Sequence, residues 1–202
     1  DSGYTETLYR LESGFLCYEN SELFSMALPD FNMPLFASFN TLNKVTDEVV
    51  EIWSQILKQT ANTKLLLKDK QLISTEQQKR LKERFAAYGI GPERLLLQSF
   101  IPDREQHIAM YSSCHVALDP FPYNGTTTTF EALSMGVPVV SLKGRRHSSR
   151  VGYSILSQIG VGELVAESKA EYIEKAVGLI GDYTRICHYR QNFPDNFANL
   201  IF

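Results

Sequence analysis

Apolar residues fall into two alternating patterns from residue 35 onward. Short, nearly continuous apolar runs alternate with longer segments in which apolar residues recur every three or four positions, as at Val49, Val50, Trp53 and Ile56. Runs such as KLLLK, RLLLQ and VPVVSL indicate strands that are buried on both faces, and the longer segments indicate helices. Because parallel strands need helical crossovers, the alternation predicts an α/β fold with a doubly wound parallel sheet. Six strands are predicted, at 35–39, 63–68, 94–100, 115–119, 137–142 and 162–166.

Polar residues and glycines predict where the helices begin and end. Thr46 and the acidic pair after it open the first helix, and Ser148 opens a later one that closes at Gly160. A Ser, Thr or Asp three positions before a Gln or Glu favours a capping box, in which each side chain bonds the other residue's backbone amide. This spacing and the glycines that follow predict starts at Thr75 (with Gln78), Asp103 (with Gln106) and Ser168 (with Glu171), and ends at Gly89, Gly136 and near Gly181.

The pattern divides the chain into three parts. Residues 1–34 lack the alternation and are predicted to be a linker or inter-lobe segment that packs against a neighbouring element. Residues 35–182 are predicted to form the α/β domain. Residues 183–202 are predicted to be a helical tail in one or two pieces, interrupted at Pro194.

Composition and charge exclude several classes of partner. The 202 residues carry a net charge of -3, with no basic stripe for nucleic acid and no apolar run long enough for a membrane span. The sequence contains three cysteines, an odd number, without the spacing of metal ligands: Cys17, Cys114 and Cys187. We therefore expect neither a disulfide framework nor a metal site. We expect a reducing, cytoplasmic location. The chain starts without a methionine or an apolar leader, which suggests a piece of a longer protein.

Ligands of parallel α/β sheets bind at the carboxyl ends of the strands, and the loop after the fourth strand there contains an unusual run of four threonines. The run follows Asn124-Gly125 and opens a helix, although threonine is a mediocre helix former. The amides of a first helical turn bind anions, so Thr126 to Thr129 are candidates for a phosphate cradle. The alternative is that Thr126 is an ordinary N-cap and the others only fill the first turn.

Other candidates on this side each have a structural alternative. Glu131 is placed to reach a ribose diol, or is a solvated helix residue. Lys44 is placed to neutralise a diphosphate, or is a surface lysine. His107 faces either a base or the core, and the basic cluster Arg145, Arg146, His147 and Arg150 binds an anion or acceptor peptide or forms a solvated loop. No hydrolytic triad and no Walker or GxGxxG motif is present in the sequence.

The string ALDPFPYNGTTTTFEALSMGVPVVSLKGRRHSSRVGYSILSQIGVGELVA resembles the C-terminal catalytic lobe of the O-linked N-acetylglucosamine transferase family, in its bacterial tetratricopeptide-repeat form. The resemblance extends to FASFNTLNKVTDEVVEIWSQIL and GIGPERLLLQSFIPDREQHIAMY and covers the chain to about residue 182. It implies the Rossmann-like, nucleotide-binding half of a GT-B glycosyltransferase. The implied reaction is inverting transfer of N-acetylglucosamine, or a related sugar, from a UDP-sugar to Ser or Thr of a protein acceptor, with no cofactor and no metal.

The resemblance also implies roles for individual residues. Lys44 matches the catalytic lysine that contacts the diphosphate, and Thr126, Thr127 and Thr128 match the phosphate-binding start of the helix. The implied nucleoside contacts are the backbone of Ile101 to uracil, Arg104 as the uracil-side cation, His107 beside uridine and Glu131 on the ribose. The spacing around Arg104 differs by one residue from the animal pattern, and Thr126 stands where the animal enzymes have His.

The second lobe and the repeat domain that this resemblance implies lie outside this chain, so the isolated chain is expected to be inactive. An alternative is a non-catalytic nucleotide-sugar-binding or protein-interaction module on the same fold. A receiver-like signalling domain fits poorly, because Asn40 rather than an acidic pair follows the first strand and leaves Asp119 without acidic partners.

Overall fold

The structure is a computed structural model that describes residues 29–198, with side chains up to residue 193, and the separate residues Thr5, Thr7, Tyr9, Leu16 and Tyr18. The strands are β1 Leu35–Ser38, β2 Lys64–Lys68, β3 Leu95–Gln98, β4 Val116–Leu118, β5 Val139–Leu142 and β6 Val165–Ala166. The helices are α1 Asp47–Gln59, α2 Thr75–Ala86, α3 Arg104–Ala109, α4 Thr127–Ser134, α5 Val151–Gln158, α6 Lys169–Ile180 and α7 Tyr183–Ala198. Short 3-10 turns lie at Leu42–Lys44, Lys70–Ile73, Pro92–Arg94, Met110–Ser113, His147–Ser149 and Gly162–Leu164.

The strands form one parallel sheet in the order β3-β2-β1-β4-β5-β6. Phe36 of β1 lies beside Leu65 of β2 on one side and Val116 of β4 on the other. The chain therefore winds outward in one direction from β1 and in the other from β4, which makes the β1/β4 boundary the topological switch point. The predicted Rossmann-like doubly wound sheet is confirmed, and this order differs from the 2-1-3-4-5 order of receiver domains.

The sheet is buried on both faces, as the continuous apolar runs predicted. Helix α1 packs against α2 and α6, whereas α4 packs against α5 and α7. Phe36 and Leu65 are fully buried, as is Trp53 of α1, whose indole Nε1 donates to the Tyr172 hydroxyl of α6 at 3.1 Å. The helices thus cover both faces of the sheet. The carboxyl ends of the strands are not covered by these helices and lead into the loops.

Three of the predicted helix starts are N-capped where expected. The side chains of Thr46, Asp103 and Ser168 accept hydrogen bonds from the amide three positions on. The prediction for α2 is wrong by one residue, because Ser74 is the cap and accepts from the Gln77 amide, and Thr75 is the first helical residue.

Two elements near the end of the sheet are shorter than predicted. The helix expected from Ser148 begins as α5 only at Val151, because residues 147–149 form a separate 3-10 turn. The strand expected at 162–166 contains only Val165 and Ala166, since Gly162–Leu164 is another 3-10 turn. Periodicity alone does not separate a 3-10 turn from the element that follows it.

The predicted interruption of the tail at Pro194 is wrong, since α7 is one helix through this position. Ile186, Tyr189 and Phe193 lie on one buried face of α7. The Arg190 guanidinium, which is 3% exposed, donates to the carbonyls of Tyr111, Met135 and Cys114. Burial of this face offsets the hydrogen bond that a proline removes from a helix.

Most of the predicted linker at 1–34 lies outside the described residues. Tyr18 is described, and its ring stacks on Phe130 of α4 at 4.8 Å. Among the described residues, no helix is both long and apolar enough to cross a bilayer.

Candidate functional site

Two loops converge at the topological switch point. A small cleft there is lined by Phe39 and Asn40 of the loop after β1, by Asp119 of the loop after β4 and by Thr128 of α4. This is the position at which open α/β sheets bind ligands. The site is therefore assembled from residues far apart in the chain that the strand order brings together.

Lys44 joins the two loops. Its Nζ donates to the Asn124 carbonyl at 2.8 Å, lies 3.5 Å from Asn40 Oδ1, and stands 4.2 Å from the centroid of the Tyr123 ring. Partial burial lowers the pKa of Lys44, and the nearby Asp119 carboxylate opposes this shift. Lys44 is therefore a half-buried cation beside the cleft, against Asn40 and Asn124, and the interpretation as a surface lysine is wrong.

The threonine run presents unpaired amides at this cleft. Helix α4 starts at Thr127, and Thr126 occupies the N-cap position without its side chain capping the helix. In the described part of the chain, no acceptor bonds the amides of Thr126, Thr127 or Thr128. The Thr128 hydroxyl donates to Asn40 Oδ1 at 3.1 Å, and Thr129 is buried. Thr126 is thus the N-cap residue, as the structural alternative held, but its side chain makes no capping bond, and the free amides are those that an anion would bind.

A buried carboxylate holds the turn before α4. Asp119 is 1% exposed, and its two oxygens accept from the Gly125 amide and the Ser141 hydroxyl, both at 2.6 Å. Burial raises the pKa of Asp119 to about 7, against the effect of these two bonds and of Lys44. Gly125 has a negative φ, so its small size matters for space rather than for turn conformation. A Cβ there would lie 2.6 Å from Thr128 Oγ1.

Glu131 and His107 meet on the far side of the cleft. Glu131 is 6% exposed, so the interpretation as a solvated helix residue is wrong. Its Oε2 lies 3.2 Å from His107 Nε2 and accepts from the Tyr111 hydroxyl at 3.2 Å. The other ring nitrogen of His107, Nδ1, is 2.7 Å from Nζ of Lys68, a buried lysine at the end of β2. His107 thus faces this polar cluster rather than the apolar core.

The remaining nucleoside-side candidates, Ile101 and Arg104, lie in the loop after β3 and at the start of α3. Ile101 is half-buried in the loop after β3, three residues beyond the end of that strand. Arg104 is exposed at the first position of α3, and Asp103 before it caps that helix by accepting from the Gln106 amide at 2.7 Å. Asp103 therefore has a structural role, whereas Arg104 stands on the same short helix as His107.

The basic cluster lies on the loop between β5 and α5, and its members are exposed: Arg145, Arg146, His147 and Arg150. In the described residues, no three His, Cys, Asp or Glu side chains converge to hold a metal ion. The Lys44 ammonium, in contrast, bonds the carbonyl of Asn124, two residues before Thr126.

The fold and the cleft define a Rossmann-like domain with an unpaired helix start at its switch point. The family model of glycosyl transferase family 41 matches residues 23–196, and the chain belongs to this family. The resemblance drawn from the motif string, to O-linked N-acetylglucosamine transferases, is confirmed at this level.

Relatives and solved structures agree with this assignment. A protein named probable UDP-N-acetylglucosamine–peptide N-acetylglucosaminyltransferase SPINDLY, from Oryza sativa subsp. japonica, is 36% identical over 94% of this chain and 21% of its own length. The Caenorhabditis elegans UDP-N-acetylglucosamine–peptide N-acetylglucosaminyltransferase is 29% identical over 81% of this chain and 14% of its own. The Thermobaculum terrenum O-GlcNAc transferase, in a mutant form, superposes with a TM-score of 0.93 at 35% identity, covering 100% of this chain and 39% of that one. The chain thus spans about a fifth of the plant relative and matches one Rossmann-like lobe of a GT-B glycosyltransferase.

Proposed function

We propose that this chain is the donor-binding lobe of an inverting protein O-glycosyltransferase, which transfers N-acetylglucosamine or a related sugar from a UDP-sugar to Ser or Thr. The observation that carries the proposal is the convergence of Lys44 with the free amides of Thr126, Thr127 and Thr128 at the switch point. A cation and a helix N-terminus at one cleft form a site for a diphosphate. The family to which the chain belongs supplies the sugar-transfer chemistry.

The proposed mechanism uses the charge that develops on the leaving group. As the bond between the sugar and the diphosphate breaks, negative charge accumulates on the phosphate oxygens. Donors that are already oriented stabilise this charge at little cost in reorganisation, and Lys44 with the α4 amides has this arrangement. Lys44 is therefore assigned the catalytic role, and in this proposal it replaces the divalent ion that other diphosphate leaving groups require.

The nucleoside is assigned to the side of the cleft formed by α3 and Glu131. The Glu131 carboxylate accepts from the ribose hydroxyls, His107 lies beside uridine, the backbone of Ile101 reads uracil, and Arg104 provides a cation at the rim. The positions of Glu131 and His107, 3.2 Å apart at the same edge, support this division into phosphate and nucleoside halves.

The complete enzyme is proposed to need a second lobe and a repeat domain beyond this chain, which together bind the protein acceptor. The chain's coverage of 39% of the Thermobaculum terrenum protein supports this view. We further propose a bacterial-type protein acting in the cytoplasm. The thiols of Cys114 and Cys187 are free, which suits a reducing compartment.

Calorimetric titration of the 202-residue chain with UDP, UDP-N-acetylglucosamine and GDP tests the proposal. We expect binding of both uridine nucleotides, weaker binding of GDP, and roughly 10- to 100-fold weaker UDP binding by Lys44→Ala, since a charged hydrogen-bond donor is lost. Lys58→Ala is the matched control, because Lys58 is exposed in the last turn of α1, shortly before β2 begins, and not in the loop that follows β1.

Circular dichroism establishes that each variant is folded. Equal affinity for GDP and UDP would refute the uridine assignment. A folded Lys44→Ala chain that binds UDP as tightly as the wild type would refute the diphosphate site.

A further inference from the structure

Lys68 is buried beside the nucleoside half of the cleft and has no role in the proposed mechanism. It ends β2 and is 6% exposed, which is unusual for a lysine. Its Nζ lies 2.7 Å from His107 Nδ1, and 5.6 Å and 5.9 Å from the ring centroids of Phe39 and Phe100. Burying an ammonium group costs free energy unless it is bonded, so this contact requires an explanation.

The two neighbours of His107 select one protonation state of its ring. A nitrogen 3.2 Å from the Glu131 carboxylate must carry a proton to make a favourable contact, so Nε2 is the donor. A proton on Nδ1 would point at the ammonium of Lys68, so Nδ1 is the acceptor and Lys68 the donor. The contacts on both sides of the ring are satisfied together only by neutral imidazole with its proton on Nε2.

This state of His107 also orients Glu131. The bonds from His107 Nε2 and from the Tyr111 hydroxyl both go to Oε2, and neither goes to Oε1. Burial raises the pKa of the Tyr111 phenol well above its ordinary value, so this hydroxyl remains a donor. The carboxylate is therefore held through one oxygen, and Oε1 is left to accept from a ligand.

We propose that Lys68 is a positioning residue: by donating to Nδ1 it holds His107 in the Nε2–H tautomer and so directs Glu131 Oε1 toward the hydroxyls of a nucleoside ribose. The ribose ligand in this inference rests on the proposed function, whereas the tautomer of the His107 ring does not. Residues that orient a ligand-contacting imidazole through its other nitrogen have large effects without touching the ligand. Lys68 thus acts through His107 and Glu131.

The first test is the tautomer of His107 in the ligand-free chain. Nitrogen NMR of histidine-labelled protein distinguishes protonated from bare ring nitrogens, and His107→Gln identifies which of the four histidine signals belongs to this ring. We expect the wild type to show Nε2–H, Lys68→Met to give a mixture of states, and Lys68→Arg to restore the wild-type signal. Lys64→Met, a change of a half-buried lysine at the other end of β2, is the control and should leave the signal unchanged.

The second test measures ribose recognition by titration with UDP and 2′-deoxy-UDP. The wild type should prefer UDP, Lys68→Met should bind UDP roughly tenfold more weakly and lose the preference, and Lys68→Arg should recover it. A merely structural lysine would alter stability without erasing the discrimination between the two nucleotides.

The outcomes separate the two proposals. Wild-type His107 with its proton on Nδ1 would overturn the inference without any substitution, as would a folded Lys68→Met chain with unchanged tautomer and unchanged preference for UDP. A wild type that shows Nε2–H but binds no UDP would refute the proposed function and the ribose half of the inference, while the role of Lys68 in fixing the tautomer would remain supported.

Discussion

Substituting Gly125 by alanine should damage the cleft through one added methyl group. The backbone there has a negative φ, so alanine adopts it without strain and the effect is steric. The added Cβ would lie 2.6 Å from Thr128 Oγ1, 2.9 Å from Asn40 Oδ1 and 3.0 Å from Thr129 Oγ1, all closer than a normal carbon–oxygen contact. The Thr128 hydroxyl must then leave Asn40, or the turn before α4 must move.

Overpacking of this kind costs roughly 1–3 kcal/mol, and losing the hydroxyl bond adds about 1 kcal/mol. We therefore expect Gly125→Ala to lower the free energy of unfolding by about 3 kcal/mol and to weaken UDP binding by roughly tenfold. Urea unfolding and calorimetric titration measure the two effects separately.

Gly178→Ala is the matched control for this experiment. Gly178 is exposed inside α6, and a Cβ there meets nothing within 4 Å, so alanine should raise the free energy of unfolding by up to about 1 kcal/mol. A Gly125→Ala chain as stable as the wild type and with the same affinity for UDP would refute the close packing described for the turn.

Two further predictions concern stability. Arg190→Leu should lower the free energy of unfolding by about 3 kcal/mol because three backbone carbonyls lose a buried charged donor, while Arg185→Leu, at an exposed ion pair with Glu163, should cost under about 1 kcal/mol in the same urea assay. Burial, followed by the charge of Arg190, lowers the pKa of His115 from 6.5 to about 4, so the unfolded chain takes up the proton first as pH falls. His115 should therefore contribute a fall of about 1.4 kcal/mol per pH unit between about 6.5 and 4, opposed in the wild type by Asp119, whose raised pKa of about 7 gives the opposite slope over nearly the same range. The difference in stability between the wild type and His115→Leu, in which Asp119 is common to both chains, should change by that amount per pH unit in urea titrations, and a constant difference would contradict the burial of His115.

The sequence contained enough to predict the sheet, because its strands are buried on both faces and read as continuous apolar runs. The helix starts at Thr46, Asp103 and Ser168 were predictable for a local reason, namely a side chain that bonds an amide three residues on. The error at Pro194 occurred where tertiary contacts decide. Arg190 and its buried neighbours stabilise α7, which continues as a helix through Pro194. The rule that proline interrupts a helix considers only the local backbone and contains no information on that packing.

The candidate site was predicted as a set of residues rather than as a network. Lys44 and the threonines were found from the motif and from their place after parallel strands. Asp119 and Lys68 also end strands at this edge, but their roles depend on burial and on partners distant in the chain: Ser141 for Asp119 and His107 for Lys68. A buried charge is recognised only once the structure shows what it bonds.

The strand order explains why the two halves of the cleft are so differently built. Lys44 reaches across the switch point from the loop after β1 to the loop after β4, so the proposed phosphate half consists of backbone amides and one cation that bonds the Asn124 carbonyl. The proposed nucleoside half joins the end of β2 to α3 and α4 through side chains alone, from Lys68 through His107 to Glu131. Amides at a helix start bind any phosphate. The hydrogen bonds from Lys68 through His107 to Glu131, with His107 in one tautomer, instead orient a single acceptor, the Glu131 carboxylate, in one direction. Discrimination among nucleotides should therefore respond to substitution in the second half, and overall affinity to substitution in the first.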